Sequence, residues 1–395
     1  MTHALAYPSA VEAPRFAALR RTSVIACTAF LTLIDLFATQ AILPALAKSY
    51  RVSPAAMGLA VNACTLGMAI ASLFVALLSP RIERRRGIVL SLCALAIPTL
   101  LLAFAPNLGV FAALRVAQGL CMASAFTLTL AYLGENCASN IASSAFSAYV
   151  AGNVASNLFG RLASAALADH FGLQTNFTTL AALNLAGALL VAATIRGARR
   201  PVMPGTFRIG LRGIVGHLRN PALRSSFLIG FCILFAFIGT FTFVNFVLAR
   251  PPLALGQMQI GFVYVVFAPS LVTTLLAGRA VQAFGTRRAL LGGLAVAIAG
   301  LPLLLTSSLT PVLAGLVLVG AGTFFAQAVA AGYVGRATSE DRGSASGLYL
   351  ACYYAGGLFG TAALGWLYEN FGWPCMVAGV GAALVIAARF SRDLL

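Results

Sequence analysis

The chain has 395 residues, of which 60% are hydrophobic and 9% are charged, and its mean hydropathy is +0.94. Because a soluble domain is about half apolar and about a quarter charged, this composition excludes a soluble globular protein. A formal net charge of +17 is also typical of nucleic-acid-binding proteins. The basic residues are dispersed over many short loops, however, so we expect no nucleic-acid partner.

Apolar segments that are long enough to cross a lipid bilayer, about 20 residues each, recur along the whole chain. Because lipid cannot satisfy backbone polar groups, each such segment is expected to be a helix. The predicted fold class is an all-α membrane protein with twelve transmembrane helices. The predicted spans cover residues 22–45, 54–79, 87–105, 108–133, 143–167, 173–195, 224–249, 255–282, 287–306, 309–335, 344–367 and 373–390.

The positions of the basic residues predict the orientation of the chain. If the N-terminus is cytoplasmic, the Lys and Arg residues lie on cytoplasmic loops or span ends, as the positive-inside rule requires. The exceptions are Lys48, Arg51, Arg115, Arg161 and Arg250. Both termini are then cytoplasmic, and we expect the first span to be retained rather than cleaved as a signal peptide.

The two halves of the chain are related by a shift of 200 residues. The segment NLFGRLASAALADHFG (157–172) aligns with GLFGTAALGWLYENFG (357–372), so span five corresponds to span eleven. The predicted domains are an N-terminal six-helix bundle (1–196), a cytoplasmic central loop (197–223) and a C-terminal six-helix bundle (224–395). Two pseudo-symmetric bundles are typical of transporters that work by alternating access and disfavour a channel.

Small residues recur at four-residue spacing in spans five and eleven. The pairs are Ser156 with Gly160 and Gly356 with Gly360. Such spacing lets helices approach closely, and we expect these pairs to pack against helices of the other half.

Three charged residues lie well inside the predicted spans: Asp35, Arg115 and Arg161. A charge within the bilayer is costly and is usually functional. We predict that Asp35 binds and releases the transported proton and that Arg115 biases its protonation. The alternatives are a static ion pair between them, or an Arg115 that extends to the membrane surface. Arg161 either extends to the surface or adds positive charge to a central cavity.

Amide and aromatic side chains inside the spans are candidates for contact with a substrate or for hydrogen bonds between helices. An unpaired amide is costly in lipid, so these side chains are expected to face the interior. The substrate-cavity candidates are Gln40, Asn62, Gln118, Asn153, Asn157, Arg161, Phe235, Asn245, Tyr264, Gln327, Tyr353 and Tyr354.

The sequence offers little that an enzyme or a metalloprotein requires. Lys48 is the only lysine, so a GxxxxGK[ST] nucleotide-binding loop is excluded. His3, His170 and His217 lie at termini or in loops, and no paired-histidine motif occurs. We therefore expect no enzymatic activity, no cofactor and no metal.

Two motifs resemble those of the major facilitator superfamily. RVAQG (115–119) is similar to the superfamily's span-four motif, Arg-x-x-Gln-Gly. The loops after spans two and eight resemble its Gly-x-x-x-Asp-Arg-x-Gly-Arg-Arg motif, and the resemblance implies that they form a gating loop. The matching positions are Arg81, Arg84, Arg85, Gly278, Gly285, Arg287 and Arg288.

Longer stretches, including LFATQAILPALA, AGNVASNLFGRL and YYAGGLFG, resemble the YnfM-type transporters of the drug/proton antiporter group. This resemblance implies a secondary active transporter of the bacterial inner membrane. We expect a monomer that exports a small organic compound in a proton-coupled cycle. The alternatives are proton-coupled transport of a sugar-like or anionic metabolite, or a non-transporting sensor with the same fold.

Overall fold

A computed structural model describes residues 12–78, 82–136, 139–195, 216–337 and 342–394, and regular structure in these ranges is helical. Arg81 and most of the predicted central loop lie outside the described residues. The α-helices are Glu12–Ala41, Leu43–Tyr50, Pro54–Asn62, Cys64–Leu78, Arg84–Leu102, Leu108–Asn136, Ser139–Thr194, Pro221–Leu248, Gln257–Val263, Ala268–Phe284, Thr286–Gly300, Leu309–Ala337 and Arg342–Phe390.

The described residues contain ten helical segments that are long and apolar enough to cross a membrane. Two of them contain a sharp reversal. Gly172 has φ 86° and ψ 168°, and Gly372 has φ 80° and ψ 179°. This backbone conformation is readily adopted only by glycine. Each of these two long segments therefore holds two spans, and the prediction of twelve transmembrane helices is confirmed.

The spans are numbered in chain order. Span two combines Pro54–Asn62 with Cys64–Leu78, and span eight combines Gln257–Val263 with Ala268–Phe284. Spans five and six meet at Gly172, and spans eleven and twelve meet at Gly372. Since twelve crossings bring the chain back to its starting side, the first and last described residues share one end of the bundle. We call this the termini end, and we call the opposite end, which carries Gly172 and Gly372, the far end.

The duplicated halves contain equivalent helix pairs. A Cβ atom on Gly160 would lie 3.0 Å from Ile34 of span one, so span five packs closely on span one. A Cβ atom on Gly360 would lie 2.5 Å from the main-chain oxygen of Phe235, so span eleven packs on span seven in the same way. The expectation that small residues at this spacing face the other half is wrong for Gly160, Gly356 and Gly360, which pack within their own halves. Their spacing determines how closely a helix can approach, but not which helix does so.

The two halves meet through hydrogen bonds at the far end. Four such bonds occur among the described residues, and each joins the far-end portion of a span in one half to the other half. They run from Asn62 Nδ2 to Thr242 Oγ1 (2.9 Å), from Asn245 Nδ2 to the Gln40 carbonyl (3.1 Å), from Gln257 Nε2 to the Ala41 carbonyl (2.8 Å) and from the Ala55 amide to Glu369 Oε1 (2.8 Å). We call these four bonds the far-end contacts.

Candidate functional site

The RVAQG segment brings span four against span two without intervening side chains. A Cβ atom on Gly119 would lie 1.9 Å from the carbonyl oxygen of Cys64, and one on Gly67 would lie 2.0 Å from that of Val116. Neither position has room for a larger residue. This approach places Arg115 within reach of the main chain of span two.

Arg115 is fully buried, and all three of its guanidinium nitrogens donate hydrogen bonds. The acceptors belong to spans one, two and four, so this side chain ties three helices together. The bonds run from Nε to the Val61 carbonyl (2.8 Å), from Nη1 to Gln118 Oε1 (2.6 Å), the Asp35 carbonyl (3.2 Å) and Thr39 Oγ1 (3.2 Å), and from Nη2 to Cys64 Sγ (3.1 Å). The side chain does not extend to the membrane surface.

The Asp35 carboxylate is also fully buried, near the middle of span one. Its Oδ2 accepts hydrogen bonds from Asn184 Nδ2 at 2.7 Å and from Thr99 Oγ1 at 3.0 Å. Its Oδ1 has no hydrogen-bond partner. Since Asp35 and Arg115 are both fully described and form no ion pair within 4.0 Å, the static ion pair is not the arrangement found.

A chain of hydrogen bonds nevertheless joins the two charged groups. Gln118 accepts from Arg115 through Oε1 and donates through Nε2 to Thr99 Oγ1 at 2.7 Å. Thr99 in turn contacts Asp35. Gln118 of the RVAQG motif therefore connects the Arg115 guanidinium, through Thr99, to the Asp35 carboxylate.

Sequence reasoning missed Thr99 and Asn184, the two residues that bind the carboxylate. Asn184 lies within span six and is fully buried, so it carries the same signal as the amides that were selected. Thr99 carries no such signal, because a buried threonine can satisfy its hydroxyl within its own helix. The Leu95 carbonyl, 2.8 Å from Thr99 Oγ1, competes with Asp35 for the single hydroxyl hydrogen.

Arg161 lies in a second polar cluster, nearer the far end. Its Nη2 donates to Gln40 Oε1 at 2.6 Å, whereas its Nε and Nη1 have no acceptor. The guanidinium carbon lies 4.0 Å from the centre of the Tyr264 ring and 5.2 Å from that of Phe267. It also lies within 6 Å of two further rings, those of Phe37 and Phe241.

Four more of the predicted cavity residues surround Arg161. Gln40 donates from Nε2 to Asn62 Oδ1 at 2.7 Å, and Asn62 bonds across to span seven. The Tyr264 hydroxyl donates to Asn245 Oδ1 at 2.5 Å. These amides, selected one by one from the sequence, thus form a continuous network where the two halves meet.

The remaining predicted cavity residues lie outside these networks. Asn157 is buried, and both polar atoms of its side chain lack a partner; Asn153 is half-buried with an unpartnered Oδ1. Three other residues, Phe235, Gln327 and Tyr353, are half-buried. Tyr354 is buried, with its ring centre 5.5 Å from that of Tyr353.

The described part of the predicted gating loop is found at the termini end. Arg85 Nη2 donates to the Ala192 carbonyl at 2.6 Å and so ties span three to span six, and Arg84 Nη1 donates to the Ile82 carbonyl at 3.1 Å. Between spans eight and nine, Gly285 adopts a positive φ of 79°. The nearby residues of the second copy are exposed: Gly278, Arg287 and Arg288.

Comparison with known proteins finds similarity to membrane transporters. The family model described as Major Facilitator Superfamily matches residues 25–268 and 251–392. The inner membrane transport protein YnfM of Escherichia coli is 30% identical over 378 residues, covering 95% of this chain and 89% of YnfM. The MFS-type transporter YybF of Bacillus subtilis is 28% identical, covering 92% of this chain and 91% of its own. The human organic anion transporter MFSD10 superposes with a TM-score of 0.77 at 15% identity, covering 95% of this chain and 99% of that one.

Proposed function

Because the chain belongs to the major facilitator superfamily and is a multi-pass membrane transporter, we propose that it exports a small organic compound in exchange for protons. We place it in the bacterial inner membrane as a monomer with both termini in the cytoplasm. The far end then faces the periplasm. The distribution of basic residues supports this orientation.

The observation that carries the proposal is the state of the Asp35 carboxylate. It is fully buried within span one, and Oδ1 has no partner while Oδ2 has two donors. The two donors support the charged form. The unpartnered oxygen is an acceptor at which a proton can bind. A group equipped for both states is what reversible protonation requires, and acids within transport proteins commonly serve as proton relays.

Protonation of Asp35 can change how the helices of the first half contact one another. With a charged carboxylate, Asp35 and Arg115 together carry no net charge; with a protonated one, they carry +1. Arg115 holds spans one, two and four together through its hydrogen bonds. A change of charge at Asp35, passed on through Thr99 and Gln118, therefore acts on the contacts of three helices of the first half.

The far-end contacts are the second element of the proposed cycle. Alternating access requires the two halves to separate at one end while they close at the other. In the arrangement described, the halves are joined at the far end, and opening toward the periplasm breaks those four hydrogen bonds. The proposed gating-loop residues lie at the opposite end, and we propose that they stabilise the alternate state: Arg84, Arg85, Arg287 and Arg288.

The proposal is tested by screening cells that overexpress the protein against a broad panel of growth-inhibitory compounds. Export predicts resistance to at least one compound and lower accumulation of that compound. Nigericin, which dissipates the pH gradient, abolishes the difference if transport is proton-coupled. Asp35→Asn is expected to remove the resistance, whereas the matched change Asp169→Asn, at an exposed residue, leaves it intact. Overexpression that raises accumulation indicates import, and a protein that binds a compound but produces no flux in proteoliposomes indicates a sensor.

A further inference from the structure

Among the described residues, two arginines are fully buried, and they differ in how completely their N–H groups are used as donors. Arg115 donates from all three nitrogens. Arg161 donates from Nη2 alone, and its Nε and Nη1, which together carry three N–H groups, have no acceptor. Both side chains are fully buried. A buried donor without an acceptor is costly, and more so when it is charged, so the arrangement around Arg161 is incomplete.

The charge of Arg161 also lacks a counter-ion. Among the described residues, no carboxylate lies within 4.0 Å of its guanidinium. The rings of Tyr264 and Phe267 offset part of the charge through their negative faces. These contacts act on the charge, and Nε and Nη1 still have no hydrogen-bond acceptor. Only an acceptor within reach of these two nitrogens completes the site.

A second buried side chain with unused polar atoms lies one helical turn away. Asn157 and Arg161 are four residues apart in span five and therefore lie on the same face of the helix. Neither Nδ2 nor Oδ1 of Asn157 has a partner. One turn further toward the termini end, Asn153 is half-buried and its Oδ1 is also unpartnered. These three residues form a polar stripe along one side of span five, from the half-buried Asn153 to the buried Arg161.

We infer that Arg161 and Asn157 bind the transported substrate, and that this substrate is a small organic anion with one carboxylate and a flat apolar body. The carboxylate accepts from Arg161, because a guanidinium can only donate. Asn157 can both donate and accept, which suits a hydroxyl or carbonyl group on the same molecule. The inference rests on the proposed transport function and specifies its substrate class.

The charge of Arg161 and the side chains around it narrow the class of substrate. Of the two buried cations in the described part of the chain, Arg115 is fully engaged and only Arg161 is free to pair, so a substrate with two negative charges would leave one of them uncompensated. Four aromatic rings lie within 6 Å of the Arg161 guanidinium, and they favour a planar apolar body over a sugar. Three of these rings, Phe241, Tyr264 and Phe267, belong to the second half of the chain. A ligand here therefore contacts both halves and is sensitive to their movement.

The test measures ligand-induced thermal stabilisation of the full chain in detergent. The probes are benzoate, cinnamate and indole-3-acetate, each compared with its neutral amide, which has nearly the same shape. We expect at least one carboxylate to raise the unfolding temperature by several degrees, with an apparent affinity at least tenfold higher than that of its amide. The inference is overturned if no carboxylate stabilises the wild-type protein, or if the amides stabilise it equally.

Variants separate ligand binding from a purely structural role for Arg161. Arg161→Gln is expected to abolish the carboxylate-induced shift, Arg161→Lys to reduce it, and Asn157→Ala to weaken binding while keeping the charge. Arg279→Gln removes the same charge from an exposed position and should leave the shift unchanged. If Arg161→Gln lowers the stability of the unliganded protein but keeps the full ligand-induced shift, Arg161 is structural and the inference fails.

Failure of the substrate assignment can be distinguished from failure of the proposed transport function. Asp35→Asn is expected to retain carboxylate binding, because Asp35 lies in the other polar cluster, while it loses proton coupling. Carboxylate binding that survives Arg161→Gln, with coupling lost in Asp35→Asn, overturns only the substrate assignment. Full coupling in Asp35→Asn, with carboxylate binding lost in Arg161→Gln, overturns only the proton site.

Discussion

Arg115 Nη1 donates a hydrogen bond to the main-chain carbonyl of Asp35 at 3.2 Å and makes no ion pair with its carboxylate. The Arg115 guanidinium of span four thus contacts the turn of span one that carries Asp35, while the Asp35 carboxylate remains available to other partners. An acid locked in a bidentate pair with arginine would be held in its charged form. The observed separation leaves Asp35 able to change its protonation while Arg115 keeps its structural contacts.

The role of Arg115 as a link between three helices predicts that a positive charge alone cannot replace it. Arg115→Lys keeps the charge, but an ammonium group has three donors and no planar fork. It cannot serve Val61, Gln118 and Cys64 at once. We expect a loss of about 2–3 kcal/mol of stability, since each net hydrogen bond contributes about 1 kcal/mol, measured by denaturation in detergent. Arg279→Lys is the matched exposed control, and equal stability of the two variants would refute the role.

The close contact of spans two and four predicts a strong effect at Gly119. Gly119→Ala places a Cβ atom 1.9 Å from the Cys64 carbonyl, so the helices must separate. We expect the unfolding free energy to fall by about 1–3 kcal/mol, the usual cost of overpacking. Gly292→Ala in span nine, where a Cβ atom meets nothing within 4 Å, should stabilise the helix by about 0.5–1 kcal/mol. Thermal unfolding of the two variants side by side decides the point; opposite signs are required.

The number and order of the spans could be predicted from sequence because each span is defined locally, by about 20 consecutive apolar residues. The RVAQG motif and the lone acid could also be selected locally. The partners of that acid could not, since Thr99 and Asn184 lie 64 and 149 positions away from Asp35. The same limit explains the wrong partner for Gly160 and Gly360: small-residue spacing predicts close approach, and only the three-dimensional arrangement selects the neighbour.

The candidate site, like the fold, could be predicted from sequence only where the signal is local. The sequence placed Gln40, Asn62, Asn245 and Tyr264 among the interior polar residues because a lone amide in lipid is costly. The sequence does not show which of these side chains find hydrogen-bond partners and which do not. That distinction, between the engaged Arg115 and the partly free Arg161, depends on which acceptors neighbouring helices bring within 3.5 Å.

Because the far-end contacts join the two halves, we predict that weakening one of them makes the protein open toward the periplasm more often. Glu369→Gln replaces a charged acceptor of the Ala55 amide with a neutral one. Because charged hydrogen bonds are stronger, we expect a loss of about 1 kcal/mol. This corresponds to about a fivefold increase in the open population. The measurement is the rate at which an impermeant maleimide labels Ala41→Cys, a buried position at that end, in a background without the eight native cysteines.

The background for that measurement must preserve the Arg115 contacts. Cys64 accepts from Arg115 Nη2, so Cys64→Ser, which keeps an acceptor, is the suitable replacement. The control is Glu83→Gln, which also alters a glutamate that accepts from main-chain amides, but at the termini end. Glu83→Gln should not accelerate labelling. Equal acceleration by both glutamine variants would show that the effect is general loosening rather than release of the far end.

The most direct test of the account is whether Asp35 carries the proton. Proteoliposomes that contain a pH-sensitive dye are exposed to a transported compound, and the internal pH is followed. We predict that the compound changes the internal pH with the wild-type protein and with Asp169→Asn. Asp35→Asn should produce no pH change, although it still exchanges labelled for unlabelled compound across the membrane. A pH change of wild-type rate and size in Asp35→Asn would contradict the assignment of Asp35 as the proton site.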